Sequence, residues 1–124
     1  MSAELYRQIV DSFNHRDWDA FISQSADTIE ADSRLAQMED AYRGHEGLRR
    51  WWDDLLGAMP DYTLEVSEVR EMGSFTLAKG RGLASSTPLI DAIWQPAEWR
   101  NGKCVWWAVC LTEEEALAAI AERQ

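Results

Sequence analysis

Two pairs of polar residues in predicted strands are the best candidates for chemistry in this sequence. Glu30 and Asp32 alternate along a short strand, and Asp91 and Gln95 share one face of a later strand. A carboxylate in an apolar pocket has a raised pKa and can act as a general base, whereas an amide N–H can stabilise the oxygen of an enolate. The pattern predicts Asp32 as a base, Gln95 as a hydrogen-bond donor and Asp91 as a second pocket acid. The reaction would be proton abstraction next to a carbonyl.

Each of these residues also has an interpretation without chemistry. Asp32 can end an edge strand in solvent, and Gln95 can be a buried side chain that only satisfies its own hydrogen bonds. Glu30 can be an exposed carboxylate, and Asp91 can be a solvated residue near the mouth of a pocket. The two interpretations differ in whether the side chains face an apolar cavity.

Other common catalytic arrangements are missing from the sequence. His15 and His45 lie far apart without ligand spacing to a second His, Cys or carboxylate pair, so we predict no metal site. The sequence has no glycine-rich phosphate loop and no serine nucleophile motif, and we expect no cofactor. Cys104 and Cys110 lie in one predicted strand, about 20 Å apart at about 3.3 Å per residue. They are therefore expected to be small buried groups and not a disulfide.

The composition limits the partners of the protein. The 124 residues contain 12 Lys and Arg against 22 Asp and Glu, which gives a formal net charge of −10. Such a charge repels nucleic acid and anionic lipid, so neither is an expected partner. No apolar run approaches the roughly 18 residues of a membrane span, and the N-terminus lacks the pattern of a secretory signal. With 46% hydrophobic residues, the sequence predicts a single domain over residues 1–124. Because it shows neither a span nor a signal, we expect this domain to be located in the cytoplasm.

A long helix precedes the strands and must position the candidate groups. Large apolar side chains recur at helical spacing from Leu48 to Met59, among them the adjacent Trp51 and Trp52, and Pro60 ends the helix. Two adjacent tryptophans on a helix need a broad apolar partner, and the later strands supply one. We expect the helix to roof a sheet and to enclose a small-molecule pocket beneath it.

The order of the elements predicts the α+β class. Two helices and a short strand at 28–32 come first, followed by the long helix and by strands at 62–70, 75–85, 89–100 and 103–111. Such an order favours helices packed on one face of an antiparallel sheet. Strand 103–111 is apolar on both faces, so its outer face also needs a cover. A second copy of the protein is the expected cover, and a monomer whose own tail folds over is the alternative.

Four runs of residues, in order, resemble the SnoaL-like proteins. FNHRDWDAF at 13–21 resembles their start W-N-(x)-G-D-x-D-A-L, and YRGHEGLRRWW at 42–52 resembles Y-R-G-(x)-E-G-(V/I)-R-x-F-(W/Y). PD at 60–61 and WRNGKCV at 99–105 match F-P-D and F-R-D-G-K-I-V. Each run alone is a weak signal, but together they cover nearly the whole chain.

The resemblance implies the nuclear transport factor 2-like fold, a strongly curved antiparallel sheet wrapped around three helices to form a cone. The cone of these proteins opens onto an apolar pocket, and many of them are homodimers. In strand 75–85, either small residues such as Thr76 and Ala78 line the cavity, or Phe75 and Leu77 fill it. The side chains expected to bind a ligand are Phe13, Trp18, Glu30, Trp51, Trp52, Trp94, Trp107 and Val109.

The resemblance also indicates which residues of this chain stand at the catalytic positions of the family. Val109 stands where SnoaL-like cyclases have their acid/base aspartate, and Gln95 stands where they have a supporting histidine. The base of ketosteroid isomerases in this superfold aligns with Ser33 or, after a one-residue shift, with Asp32. Their helix tyrosine aligns with Ile9. Cyclase chemistry through the family aspartate is therefore not expected.

Three functions remain open from the sequence. The first is a pocket for a small hydrophobic, carbonyl-bearing molecule, with cofactor-free chemistry of the cyclase or isomerase type as a hypothesis. The second is a non-catalytic ligand-binding protein or a dimeric interaction module. The third is an enzyme similar to epoxide hydrolases, which need an Asp–Arg–Asp set; Arg81 and Asp91 are candidates by residue type.

Overall fold

Helix α3 (Gly44–Ala58) carries the apolar stripe that the sequence predicted. The computed structural model describes residues 2–33, 42–84, 87–88 and 92–124. In it, Leu48, Trp51 and Trp52 are buried on the side of α3 that faces the sheet. The helix ends two residues before Pro60, which cannot continue a helix.

The remaining elements follow the predicted order, with helices first and long strands later. Their bounds, in chain order, are α1 (Ser2–Asn14), α2 (Trp18–Ser23), β1 (Ser25–Ser33), β2 (Tyr42–Arg43), β3 (Thr63–Met72), β4 (Phe75–Ala84), β5 (Thr87–Pro88), β6 (Ile93–Arg100), β7 (Lys103–Val109) and α4 (Glu113–Arg123). This content confirms the α+β class.

The strands of the described residues form one curved sheet in the order β2-β1-β7-β6-β4-β3, with β5 paired to β4. Strands β3, β4, β6 and β7 make an antiparallel meander. Strand β1 pairs in parallel with β7, the last strand of this meander. Asn101 and Gly102 connect β6 to β7 with φ values of 53° and 77°. Positive φ at both positions is typical of a two-residue hairpin turn, which Asn-Gly predicted.

Helices α1, α2 and α3 pack on the inner face of the sheet and enclose the main core. Phe13, Phe21, Trp51 and Trp52 supply its large rings, while the facing strands contribute small residues such as Ala97. The same strands also contribute large side chains to this core, such as Trp99 and Ile29.

The outer face of the sheet is covered by α4 of the same chain. Trp106, Ala108 and Cys110 form a second apolar cluster with three buried side chains of that helix, Ala116, Ala119 and Ile120. The Thr112 hydroxyl accepts the amide N–H of Glu115 at 3.1 Å and caps the start of α4, as predicted. A second copy of the protein was predicted as the cover of this face. Over these residues the cover is the chain's own C-terminal helix.

A buried carboxylate ties α4 to the sheet. Glu98 of β6 is 5% exposed, and its Oε1 accepts the Nε–H of Arg123 at 2.9 Å. Its Oε2 accepts from Arg100 at 2.9 Å, and the Arg123 guanidinium lies over the ring of Trp106 at 4.7 Å. The last turn of α4 is therefore held by charge as well as by apolar contact.

The structure shows which side chains of β4 face the helices, which the sequence left open. Phe75 and Leu77 belong to the outer cluster, whereas Ala78 packs in the inner core. Thr76 is fully buried, and its hydroxyl accepts the indole N–H of Trp99 at 2.9 Å. The small residues of β4 therefore face the helices.

The close contact of β3 and β4 at Gly80 gives a first prediction. A Cβ atom at Gly80 would lie 2.3 Å from the backbone oxygen of Glu65, which belongs to the paired strand. We expect Gly80→Ala to lower the free energy of unfolding by about 1–3 kcal/mol, because the strands must separate. The control is Gly57→Ala in α3, where a Cβ meets nothing within 4 Å and helix propensity should raise stability by about 0.5–1 kcal/mol. Urea denaturation measures both, and equal stabilities of the two variants would contradict the prediction.

Two further expectations concern cysteines and membranes. Cys104 and Cys110 are free and buried, as predicted. Among the helices in the described part of the chain, none is both long enough and apolar enough to cross a membrane.

Candidate functional site

A cavity lies between the first three helices and the inner face of the sheet. Its volume is about 50 Å³, which is room for about three to five water molecules. Among the described residues, its lining is Tyr6, Ile9, Val10, Phe13, Phe21, Ser25, Trp51, Leu64, Gln95, Ala97, Trp99, Cys104 and Trp107.

A hydrogen-bonded pair, Tyr6 and Gln95, provides the main polar group of this cavity. Tyr6 of α1 is 6% exposed and Gln95 of β6 is 8% exposed. The Tyr6 hydroxyl donates to the amide oxygen Oε1 of Gln95. Burial raises the pKa of Tyr6 above its ordinary value of 10, so the hydroxyl stays protonated at neutral pH. With its oxygen engaged by Tyr6, Gln95 has its amide N–H groups to offer to a guest in the cavity.

Ser25 and Cys104 provide the other polar atoms of the lining. They are paired across β1 and β7, and both are buried. The Cys104 thiol donates to the backbone oxygen of Trp106 at 3.3 Å. Burial raises the pKa of this thiol to about 12, so it is protonated at neutral pH and is not a nucleophile there.

Aromatic rings make the apolar walls. Trp51 stacks on Phe21 with ring centroids 5.9 Å apart, and it meets Trp107 edge to face at 4.9 Å. Phe13 lies 5.6 Å from Trp51 on the other side. Each ring is therefore fixed by its neighbours, which favours a preformed cavity.

Three residues of the lining are less buried than the others. Ile9, Leu64 and Trp107 are half-buried, whereas the other lining residues are buried. These three side chains come from α1, β3 and β7 and form what we call the rim.

Several predicted site residues do line the cavity. Gln95 lies at one end, and Phe13, Trp51 and Trp107 are part of its walls. Both tryptophans come from places where the sequence predicted them, the apolar face of α3 and the strand β7.

Other predicted ligand-binding residues are core residues outside the lining. Trp18 and Trp52 meet edge to face at 5.2 Å, and the Arg49 guanidinium lies 4.8 Å over the Trp18 ring. Val109 is buried near the end of β7 but does not line the cavity either. The expectation that these three would contact a ligand does not agree with the geometry.

The carboxylates Glu30 and Asp32 lie on the outward row of β1. In the parallel ladder, Glu30 pairs with Trp106 and Asp32 pairs with Ala108. Both partners belong to the outer cluster under α4, and paired strand residues project to the same face of a sheet. The prediction that Asp32 faces the cavity is therefore not supported, because the inward positions hold the apolar residues Ile29 and Ala31.

Trp94, Arg81 and Asp91 give no support to a catalytic site either. Trp94 packs in the outer cluster, with the Lys79 ammonium 5.2 Å from its ring. Arg81 pairs with Glu65 at 2.9 Å in an exposed ion pair. Asp91 lies outside the described residues.

The described lining contains no charged side chain. A charged guest would have to leave water without a partner of opposite charge, which is strongly unfavourable. In addition, no group of three His, Cys, Asp or Glu that could hold a metal ion occurs among the residues described. The arrangement suits a neutral guest with one or two hydrogen-bonding atoms.

Sequence reasoning missed Tyr6. Its signal was present, since Tyr6, Val10 and Phe13 lie at helical spacing and are the buried residues of α1. The alignment with isomerases had placed the helix tyrosine at Ile9, which instead lies at the rim. Ser25 carried no comparable signal because it begins a strand that the sequence predicted to start later.

Comparison with protein families gives one match. The model of the SnoaL-like domain matches residues 6–111, most of the chain. By sequence, no curated protein matches it significantly.

Many solved structures share the fold. A candidate polyketide cyclase from Sinorhizobium meliloti is 16% identical, with a TM-score of 0.73 over 86% of this chain and 93% of that one. TerC, co-crystallised with polyporic acid, is 16% identical, with a TM-score of 0.77 over 97% and 95%. A SnoaL-like protein from Burkholderia thailandensis is 20% identical, with a TM-score of 0.71 over 86% and 91%. At such identities the likeness shows the fold, which is nuclear transport factor 2-like.

Proposed function

This chain belongs to the SnoaL-like domain family, and we propose that it binds a small, neutral, mainly apolar molecule through a carbonyl group. The guest would occupy the cavity under α3, with its carbonyl oxygen accepting an amide N–H of Gln95. The observation that carries this proposal is the buried Tyr6–Gln95 hydrogen bond in a lining that is mainly apolar.

The Tyr6–Gln95 pair is suited to a guest that carries a hydrogen-bond acceptor. The Tyr6 hydroxyl is a donor at neutral pH and occupies the oxygen of the Gln95 amide, so the N–H groups of Gln95 are the donors that this side chain has left for a guest. A carbonyl oxygen is the small neutral acceptor that such a group bonds best. In an apolar cavity this bond is worth more than in water because no solvent competes for the donor.

The size of the cavity limits the guest. At about 50 Å³, the resting space holds only a few non-hydrogen atoms, so a six-membered ring needs the rim to open. The half-buried side chains of the rim, Ile9, Leu64 and Trp107, have solvent on one side into which they can move. TerC of the same fold was crystallised with a small organic molecule, polyporic acid, which agrees with a small-molecule role for such a cavity.

The test compares two ligands of one shape in two proteins. Cyclohexanone has a C=O group where methylenecyclohexane has C=CH₂. The Tyr6→Phe, Gln95→Met double variant removes both donors and nearly keeps the volume of the two side chains. We expect the preference for cyclohexanone, as a ratio of dissociation constants, to fall about tenfold or more in the double variant. Indole N–H shifts in NMR titrations provide the readout.

The control is Trp94→Phe, a change on the outer face that should keep the wild-type ratio. Binding of methylenecyclohexane to the double variant would show that its cavity is intact. An equal ratio in the wild type and the double variant would contradict the proposal. So would the failure of both ligands to bind the wild type at millimolar concentration.

A second candidate function is proton transfer on the bound carbonyl compound, of the isomerase or cyclase type. The observation that favours it is the same hydrogen-bonded pair, because the amide N–H of Gln95 would stabilise an enolate oxygen. The described lining holds no histidine or carboxylate to serve as the base. Binding is therefore the better supported function. Exchange of the α-protons of cyclohexanone for deuterium, faster with the protein than without it, would favour the catalytic candidate.

A further inference from the structure

The cavity has a second polar site, separate from the Tyr6–Gln95 pair. Ser25 of β1 pairs with Cys104 of β7, and Cys104 pairs with Trp99 of β6. Trp99 lies four residues beyond Gln95 on the same strand, which is roughly 13 Å along the backbone at about 3.3 Å per residue. Ser25 and Gln95 are therefore well-separated polar groups of one lining, with Ala97 and Trp99 between them along the path through the strands.

The hydroxyl of Ser25 is buried but weakly bonded. Ser25 is 3% exposed, and its hydroxyl lies 3.5 Å from the backbone oxygen of Phe21, at the limit of a hydrogen bond. Buried hydroxyl groups in folded proteins normally have a good partner. A guest atom that bonds to Ser25 would supply one.

The backbone around Ser25 is fixed before any guest arrives. The Nε2 atom of His45, at the start of α3, lies 3.1 Å from the Ser25 backbone oxygen. On the neighbouring strand, the amide N–H of Cys104 donates to the backbone oxygen of Gln24 at 2.9 Å. A hydroxyl held in this way keeps its position relative to Gln95, as a preformed binding group should.

We infer that the guest carries a second oxygen function, a hydroxyl or a carbonyl, that bonds to Ser25 while its first carbonyl bonds to Gln95. This inference rests on the proposed function and specifies its ligand class. That class is compact, neutral hydroxyketones and diketones whose oxygens lie at opposite ends of an apolar skeleton. The Cys104 thiol already donates to a backbone oxygen, so Ser25 is the main anchor at this second site.

The experiment uses two ligands that differ only at the second end. In 4-hydroxycyclohexanone and 4-methylcyclohexanone, a hydroxyl and a methyl group of nearly equal size lie opposite the carbonyl. Both are titrated into the wild-type protein and into Ser25→Ala, with the indole N–H shifts as readout. We expect the preference for the hydroxyketone, as a ratio of dissociation constants, to fall about tenfold in Ser25→Ala. The affinity for 4-methylcyclohexanone should change little, which also shows that the variant is folded.

The outcomes separate this inference from the proposed function. If both ketones bind the wild type and the ratio is the same in Ser25→Ala, the second anchor is wrong and the carbonyl site at Gln95 stands. If neither ketone binds the wild type at millimolar concentration, the proposed function fails and this inference fails with it. A ratio that falls only in Ser25→Ala, and not in Trp94→Phe, supports the inference.

Discussion

Replacement of Glu98 by alanine is expected to lower the free energy of unfolding by about 3–5 kcal/mol, because it leaves a partly buried guanidinium without its partner. Glu98 accepts hydrogen bonds from Arg123 of α4 and from Arg100 of its own strand, and its side chain is 7% exposed. Arg123 is far less exposed than Arg100, so it cannot recover full hydration while α4 stays docked. The helix should therefore detach before the rest of the fold. Denaturant unfolding and hydrogen exchange of the α4 amides measure the two effects.

The matched control is Glu68→Ala. Glu68 pairs with Arg70, two residues later on a strand, as Glu98 pairs with Arg100, but the Glu68 side chain is 54% exposed. Exposed ion pairs contribute about 0–1 kcal/mol, so this variant should be close to the wild type. Equal losses in the two variants would show that burial of Glu98 and its contact with α4 do not stabilise the fold as argued.

Replacement of Ala97 by leucine is expected to weaken cyclohexanone binding about 100-fold or more. Ala97 is buried in the floor of the cavity, paired with Trp107 on β7 and with Thr76 on β4. Three added carbon atoms would occupy the space that the guest needs, and a guest could then enter only by overpacking the core. The fold should tolerate the change, because the new atoms fill existing space and do not displace side chains.

Ala108→Leu is the contrasting variant. Ala108 is equally buried, but it lies on the outer face, where it packs in one cluster with Ala116, Ala119 and Ile120 of α4. We expect Ala108→Leu to lower the free energy of unfolding by about 1–3 kcal/mol, whereas Ala97→Leu keeps or raises it. If Ala97→Leu bound cyclohexanone as well as the wild type, the cavity would not be the binding site.

Local sequence signals predicted most of the fold. The spacing of Leu48, Trp51 and Trp52 predicted the buried face of α3 and Pro60 predicted its end. Asn101–Gly102 predicted the hairpin between β6 and β7. These signals succeed because the physical cause acts over a few residues: the apolar stripe of one helix, or the positive φ of one turn.

The facing of Glu30 and Asp32 was predicted wrongly because the local alternation and the resemblance to isomerases point to opposite faces of β1. Along β1, Ile29 and Ala31 alternate with Glu30 and Asp32, which by itself places the carboxylates on the face opposite the apolar residues. The resemblance to isomerases, after a one-residue shift, favoured Asp32 as a base in the pocket. A shift of one residue reverses the face of every side chain in a strand, so the alternation was the better guide.

For the outer face, the sequence left two covers open, a second copy of the protein and the chain's own tail. The sequence showed that β7 is apolar on both sides, and it predicted a helix after Thr112, but pattern alone does not say where that helix packs. The charge partners that hold it, Glu98 and Arg123, lie 25 residues apart and meet only in the folded chain. Trp94 was misplaced for the same reason, since its face depends on the pairing of β6 with β4.

The most direct test of the carbonyl-binding cavity is a crystal structure of the protein grown with cyclohexanone. We predict the ring beneath Trp51, with its carbonyl oxygen about 3 Å from Nε2 of Gln95 and the rim side chains moved outward. A ring bound elsewhere on the protein, or a cavity closed to the ketone at saturating concentration, would contradict the account.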